Sequence, residues 1–215
     1  MIKDSQRAGK KWRGFRGGNF LPASRFFCFV FAPPPFWVAG QLFFSRIFDK
    51  VSSSVVVNIL MRKTSLCVII KEGKILLAMK KRGFGAGKWN GPGGKLDYMK
   101  GDKTISDTAI RETKEEIGIE PENMQALGVL SFCFPNNKEW DQDVSVYLVE
   151  EWKGELKESE EMIPRWFDIE DIPFADMWDD DKYWLKDVLK GNKIKKASFV
   201  FAEDGRVKEH NIEFL

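Results

Sequence analysis

Arg111-Glu112-Thr113-Lys114-Glu115-Glu116-Ile117-Gly118-Ile119, preceded by Gly91-Pro92-Gly93-Gly94, decides how this chain is read. On a helix, the i, i+3, i+4 spacing puts Glu112, Glu115 and Glu116 on one face. Like charges so close repel one another, and a Glu-rich helical face is ordinarily solvated surface. Three features favour a cation site instead. Arg111 is placed to pair with Glu115, and Gly118 stands where a left-handed helix cap belongs. The upstream glycines allow the backbone to approach a metal or a phosphate closely. Three carboxylates supply the hard oxygen donors that Mg²⁺ or Mn²⁺ prefers and leave positions for water and substrate.

Working outward, Thr104-Ile105-Ser106-Asp107 has the form of a capping box and starts this helix, with Ile105, Ala109 and Thr113 inward. Ser65–Ile70 and Lys74–Met79 flank Lys71-Glu72-Gly73 as a hairpin, and a glycine-rich loop runs from Gly83 to Gly94. Leu127–Phe134 and Val144–Val149 read as a second strand pair, and Arg165–Asp168 as a short strand. Asp179–Lys190 reads as a helix with Trp184, Leu185, Val188 and Leu189 on one face and Gly191 behind it. Ser198–Ala202 and Val207–Ile212 close the pattern as a hairpin around Asp204-Gly205. Strands interleaved with two helices predict an α/β fold, an α/β/α sandwich around a mixed central sheet.

The net charge of +2 conceals an asymmetry. Residues 1–60 carry nine Lys/Arg against two acids, and residues 61–215 carry 25 against 30. The organisation expected is a basic extension over 1–60 and one domain over 61–215. In the extension, Pro33-Pro34-Pro35 interrupts the apolar run from Arg25 to Phe44, which argues against a stable membrane span. Its Arg-rich, acid-poor character fits an organelle-targeting segment, a membrane-associating arm, or upstream sequence before a start at Met61. Cys28, Cys67 and Cys133 form no paired motif, and His210 is the only histidine. A disulfide framework, a zinc site and a Ser-His-Asp triad are therefore not expected, and a reducing, cytoplasmic setting fits.

The Arg111–Ile119 stretch with its glycine-rich approach resembles the box of the Nudix hydrolases, enzymes acting on nucleoside diphosphates linked to another group. The spacing departs from the family pattern. The pattern asks for glycine at position 97, where the chain has Asp97; Gly94 lies seventeen residues before Arg111. The loop Lys95 to Lys103 thus carries about three extra residues, and Thr113 fills an aliphatic slot. The pattern's first glutamate, which the resemblance implies to be structural, is either replaced by Asp102 or missing. Met79–Gly91, Glu161-Met162 and Ile172–Trp184 resemble the 8-oxo-dGTP diphosphatase group within that family, the oxidised purine nucleoside triphosphatases. This likeness extends from about Ser65 to Phe214.

The resemblance implies a Mg²⁺-dependent substitution at phosphorus that yields a nucleoside monophosphate and pyrophosphate, and so sanitises the nucleotide pool. It implies metal binding by Glu112, Glu115 and Glu116, a carbonyl of Gly93 or Gly94, and Glu161, with Arg111 orienting the acids. Substrate contacts fall to Asn90, Asp180, Asp181, Trp178, Phe84, Lys80, Phe132 and Met162. Asn90 offers a donor and an acceptor. A proton held by one of Asp180 and Asp181 lets the pair both donate and accept. Trp178 and Phe84 offer stacking. Each residue also has a plain structural use: Trp178 in a core, the aspartates at a helix start, Asn90 in a turn. The expected partner is a small nucleotide, with no nucleic-acid polymer, and a monomer is expected. The alternatives are hydrolysis of another nucleotide, or a nucleotide-binding module without catalysis.

Overall fold

Thr64-Ser65-Leu66-Cys67-Val68-Ile69 is buried without a break, as a strand covered on both faces must be. It forms the middle of β1 (Arg62–Lys71) in a computed structural model that describes residues 61–215. The readings on residues 1–60 lie outside the described residues. The remaining elements are β2 (Lys74–Lys80), β3 (Trp89–Asn90), α1 (Ile105–Ile117), β4 (Ile119–Glu122), β5 (Gln125–Cys133) and β6 (Gln142–Val149). They continue with β7 (Glu151–Gly154), β8 (Met162–Asp168), α2 (Asp181–Leu189), β9 (Ile194–Phe201) and β10 (Val207–Phe214).

The main sheet runs β10-β9-β5-β6-β1-β2-β3, with β8 also paired to β2. β1 with β6 and β5 with β9 are parallel, and the other pairs in this sheet are antiparallel. The sheet is therefore mixed, as expected. Alternation along its strands separates two cores. Leu66, Val68, Ile75 and Leu77 face α2 through Trp184, Leu185 and Val188. Cys67, Ile69, Leu76 and Ala78 face α1 through Ala109 and Ile117. The predicted α/β/α layering is thus built from adjacent residues of β1 and β2 pointing to opposite helices.

Three strands were not anticipated. β3 is two residues long, and β4 and β7 form a separate two-stranded sheet. β4 reads Ile-Glu-Pro-Glu, a composition poor in strand formers. It is a strand because Ile119 is buried beneath α1 and its backbone finds Gly154 to Glu151 in antiparallel register. β8 begins at Met162, earlier than the expected Arg165, because Met162 to Pro164 continue the ladder onto Lys80 to Ala78.

The glycine segment runs beside β1 almost as another strand. Ser65 N donates to Gly94 O at 2.8 Å, and Cys67 N donates to Pro92 O at 2.9 Å. A Cβ on Gly91 would lie 2.2 Å from Cys67 O, and one on Gly93 would lie 2.1 Å from Ser65 O. Gly93 also has φ +156°. These contacts are with backbone, which cannot swing aside.

The enlarged loop resolves the missing glutamate. Tyr98–Lys100 form a 3₁₀ turn, begun by Met99 N donating to Asp97 Oδ1 and ended by Gly101 at φ 94°. Tyr98 and Met99 project into solvent. The bulge returns the chain so that buried Asp102 meets α1. Arg111 Nε and Nη2 donate to its two oxygens at 2.8 and 2.7 Å, and Thr108 Oγ1 and Asp97 N donate at 2.8 and 3.0 Å. The Arg111 guanidinium holds the Asp102 carboxyl well below the usual carboxylate range. Asp102 is therefore a buried, fully paired carboxylate that braces Arg111. The capping box is present too: Asp107 N donates to Thr104 Oγ1, and Thr104 N to Asp107 Oδ2.

Replacing Gly91 tests this packing. Gly91→Ala is expected to lower stability by about 1–3 kcal/mol, the usual cost of forcing an extra methyl into a packed interior. Thermal and urea unfolding will read it; an unchanged midpoint would show that the glycine segment can move away from β1.

Candidate active site

The cavity opens where the glycine segment, β1, the start of β6 and the Met177–Asp181 segment converge, and it encloses about 180 Å³. Its floor carries Gly91, Gly93 and Gly94, and its walls carry all eight residues assigned above to substrate: Lys80, Phe84, Asn90, Phe132, Met162, Trp178, Asp180 and Asp181. These residues come from β2, the glycine-rich loop, β3, β5, β8 and the approach to α2. Their convergence is a product of the sheet order.

Asp180 and Asp181 are both buried, each about 3% exposed. Both stand at the start of α2, Asp180 at the N-cap without a side-chain cap bond and Asp181 in the first turn, where acids also suit the helix dipole. Trp184 Nε1 donates to Asp180 Oδ2 at 3.0 Å, and Trp178 N donates to Asp181 Oδ2 at 3.1 Å. Burial pushes Asp180 up to about 6, aided by the charge of Asp179 and opposed by the Trp184 bond and Lys88. Burial and the neighbouring Asp180 charge push Asp181 well above the usual range. Burial and mutual repulsion thus both favour the protonated form of the pair.

The wall beside this pair is aromatic. Phe84 stacks on Trp178 with centroids 4.9 Å apart and planes at 29°, and also meets Trp140 at 4.9 Å. Phe134 lies parallel to Phe201 at 4.7 Å, and Phe132 packs edge-on to Phe201. Gly91 N donates to Asn90 Oδ1 at 2.9 Å. That turn bond engages the carbonyl oxygen, and among the described residues Asn90 Nδ2 makes no hydrogen bond, so its donors are open to a ligand.

At the other end, the three glutamates are treated differently by their surroundings. Glu116 is buried; Gly93 N donates to its Oε2 at 2.9 Å, and Lys80 Nζ lies 3.5 Å from its Oε1. Burial raises Glu116 to about 7; the Gly93 bond and Lys80 oppose this, while Glu112 and Glu161 reinforce it. Glu112 is nearly buried and accepts from Arg111 Nη1 at 2.8 Å. It packs so closely on Gly94 that a Cβ there would stand 2.4 Å from its carboxyl carbon. Glu115 is half exposed and pairs with Lys100 Nζ at 2.8 Å and Arg111 Nη1 at 3.2 Å. Glu161 is half-buried and pairs with Arg82 at 3.0 Å. The anticipated Arg111–Glu115 pair is therefore present, but Arg111 is anchored chiefly by Asp102.

Among the described residues no three acidic, His or Cys side chains are gathered as a ready metal cage. The donor set still fits Mg²⁺, which usually takes one or two carboxylates and keeps the remaining positions for water and phosphate. Glu112 and Glu116 flank the glycine floor, where the absence of side chains leaves the backbone within reach. A cation there would also offset the burial, and the lesser repulsion from Glu112 and Glu161, that raise Glu116.

Several cavity residues had no assigned role in the sequence. Lys88, Thr64, Gln142, Phe134 and Phe201 line it as well. Lys88 lies inside the Met79–Gly91 match, yet nothing in its local sequence marks it. Gln142 stands at the first position of β6, opposite Phe132, and only the strand register brings it to the cavity.

Several known proteins are similar to this chain. The oxidized purine nucleoside triphosphate hydrolase of Danio rerio is 39% identical over 149 residues, covering 69% of this chain and 92% of that protein. The Mus musculus protein of the same name is 42% identical over 133 residues, covering 62% and 83%. Among solved structures, the MutT protein of Bacillus halodurans superposes with a TM-score of 0.62 over 71% of this chain and 98% of its own; at 24% identity it supports the fold. The NUDIX domain family model matches residues 61–188, more than half of the sequence, and the chain accordingly belongs to the Nudix family.

Proposed function

We propose that this Nudix hydrolase acts on oxidised purine nucleoside triphosphates, such as 8-oxo-dGTP and 2-hydroxy-dATP, releasing the monophosphate and pyrophosphate. The observation that carries the reading is the buried Asp180–Asp181 pair beside the aromatic wall of Trp178 and Phe84. Oxidation changes which edge atoms of a purine donate and accept. A carboxyl pair sharing one proton can match the altered pattern by choosing which oxygen carries it. The relatives in zebrafish and mouse support the same reading through their names.

The division of labour follows from the two ends of the cavity. The base is stacked by Trp178 and read by Asp180, Asp181 and the Nδ2 donors of Asn90. The triphosphate extends toward the glycine floor, where Lys80 offers a point charge. Glu112 and Glu116, with a Gly93 or Gly94 carbonyl, would hold Mg²⁺ or Mn²⁺; Glu115, on the same helix face, and Glu161, whose charge bears on Glu116, would join them once their surface partners release them. The chemistry such a cation would supply is neutralisation of phosphate charge and acidification of a nearby water. Arg111, braced by Asp102, holds Glu112 and Glu115 in place. Together residues 61–215 would form the whole catalytic unit, working as a monomer on a small nucleotide in the cytoplasm. Among the described residues no helix is long and apolar enough to cross a membrane.

Turnover of 8-oxo-dGTP, 2-hydroxy-dATP and dGTP below saturation tests the substrate class; a preference for dGTP would favour an ordinary or alkylated nucleotide instead. Glu116→Gln is expected to lower kcat by roughly 10²-fold or more, because it removes charge where metal-assisted chemistry needs it. Near-normal turnover with the same Mg²⁺ dependence would remove Glu116 from the metal site. Asp180→Asn and Asp181→Asn should each reduce kcat/KM for oxidised purines by about 1–3 kcal/mol, with much smaller effects on pyrimidines. Equal losses for every nucleotide would mark the pair as structural. Because the raised pair loses its last proton as pH rises, wild-type kcat/KM should fall on the alkaline side of a maximum. Finally, a chain spanning Met61–Leu215 should be soluble and fully active per molecule, since β1 begins at Arg62; loss of folding or activity would give residues 1–60 a part in the domain.

A further inference from the structure

Lys88 stands at a junction that the proposed roles leave unexplained. Its backbone is fixed on two sides: Lys80 N donates to Lys88 O at 3.0 Å, and Lys88 N to Gly85 O at 3.1 Å. From this turn the side chain crosses to the opposite wall of the cavity. There Nζ donates to Met177 O at 2.9 Å and lies 5.3 Å from the centroid of the Trp178 ring. Phe84 also packs on Trp178, while Gly85 admits its edge with a would-be Cβ 3.1 Å from Trp178 Cζ2. Trp178 is thus confined by an aromatic ring, a glycine and a cation. Its backbone N–H donates to Asp181 Oδ2 at 3.1 Å, so the segment that carries the ring also holds Asp181.

We propose that Lys88 is a positioning residue that sets the plane of Trp178 and the charge balance of the buried aspartate pair, and thereby helps decide which purines the site accepts. This rests on the oxidised-purine reading above and deepens it. The charged groups around the pair single Lys88 out. Asp179 adds negative charge to Asp180, but its own carboxylate is occupied by Lys182 of α2 at 2.5 Å and Val207 N of β10, with Arg206 contributing nearby. From β3 the neighbour is neutral Asn90, and from β2 the Lys80 ammonium is directed to Glu116. Trp184 of α2 supplies a neutral donor. Lys88 is the cation whose charge bears on both Asp180 and Asp181. Its ammonium over the indole is also favourable by itself, and most so where water is scarce.

The test compares wild type, Lys88→Met and Lys88→Arg with 8-oxo-dGTP and dGTP across pH. Lys88→Met should lower kcat/KM for the oxidised purine by roughly 3–30-fold, mainly through KM, and shrink its preference over dGTP. Removing a positive charge favours the protonated pair, so both limbs of the kcat/KM profile should move to higher pH. Lys88→Arg, which keeps the charge and the ring contact, should restore preference and profile. If Lys88→Met does not fold, Lys88→Gln gives the same comparison. Uniform loss with an unmoved pH profile, or no loss, would overturn the proposal. A wild-type enzyme without preference for oxidised purines would instead sink the functional reading, whatever the Lys88 variants do.

Discussion

The close approach of Gly91–Gly94 to β1 is the constraint on which the site depends. Two backbone hydrogen bonds hold the segment against Ser65 and Cys67, at a separation that leaves no room for side chains at Gly91 and Gly93. That approach brings Gly93 N to Glu116 and Gly94 to the carboxyl of Glu112. It also turns the chain so that Asn90, at the end of β3, enters the cavity. These two backbone contacts thus position groups at both ends of the site.

The cavity holds unwelcome charge at two places, and each is managed differently. Glu116 lies at the glycine floor with a backbone N–H and the Lys80 ammonium as partial compensation. Asp180 and Asp181 lie in the base wall with Trp184 Nε1 and Trp178 N–H as neutral donors and Lys88 as the nearby cation. Burying carboxyls costs free energy that solvated positions would not require. A fold bears such cost where the groups have work to do, and both clusters face one cavity. By contrast Asp102, equally buried, is fully compensated by Arg111, Thr108 and Asp97 and serves as a brace.

The helix carrying the glutamates was legible because its signals are local: a capping box at Thr104, apolar spacing, and glycine at position 118. The hairpin of β1 and β2 and the helix α2 were legible for the same reason. The strands β4 and β7 were not, since their pairing joins Ile119 to Gly154 across a long stretch of chain and β4 contains a proline. The role of Asp102 was left open by spacing alone; a 3₁₀ turn absorbs the extra residues and returns the carboxylate to Arg111.

The sequence by itself determined the family, the layering of the fold and the set of acids and aromatics available for chemistry, because motif spacing and residue periodicity are properties of neighbours along the chain. Only the tertiary structure decided how each was used. Glu112, Glu115 and Glu116 share a helix face, yet one is buried, one nearly so and one half exposed, since their environments come from the glycine segment and the enlarged loop rather than from the helix. Lys88 and Gln142 reach the cavity only because β2, β3 and β6 lie where the sheet order puts them. Burial, and with it the protonation of Asp180 and Asp181, depends on what packs against a residue from distant parts of the chain, and that information is absent from the local sequence.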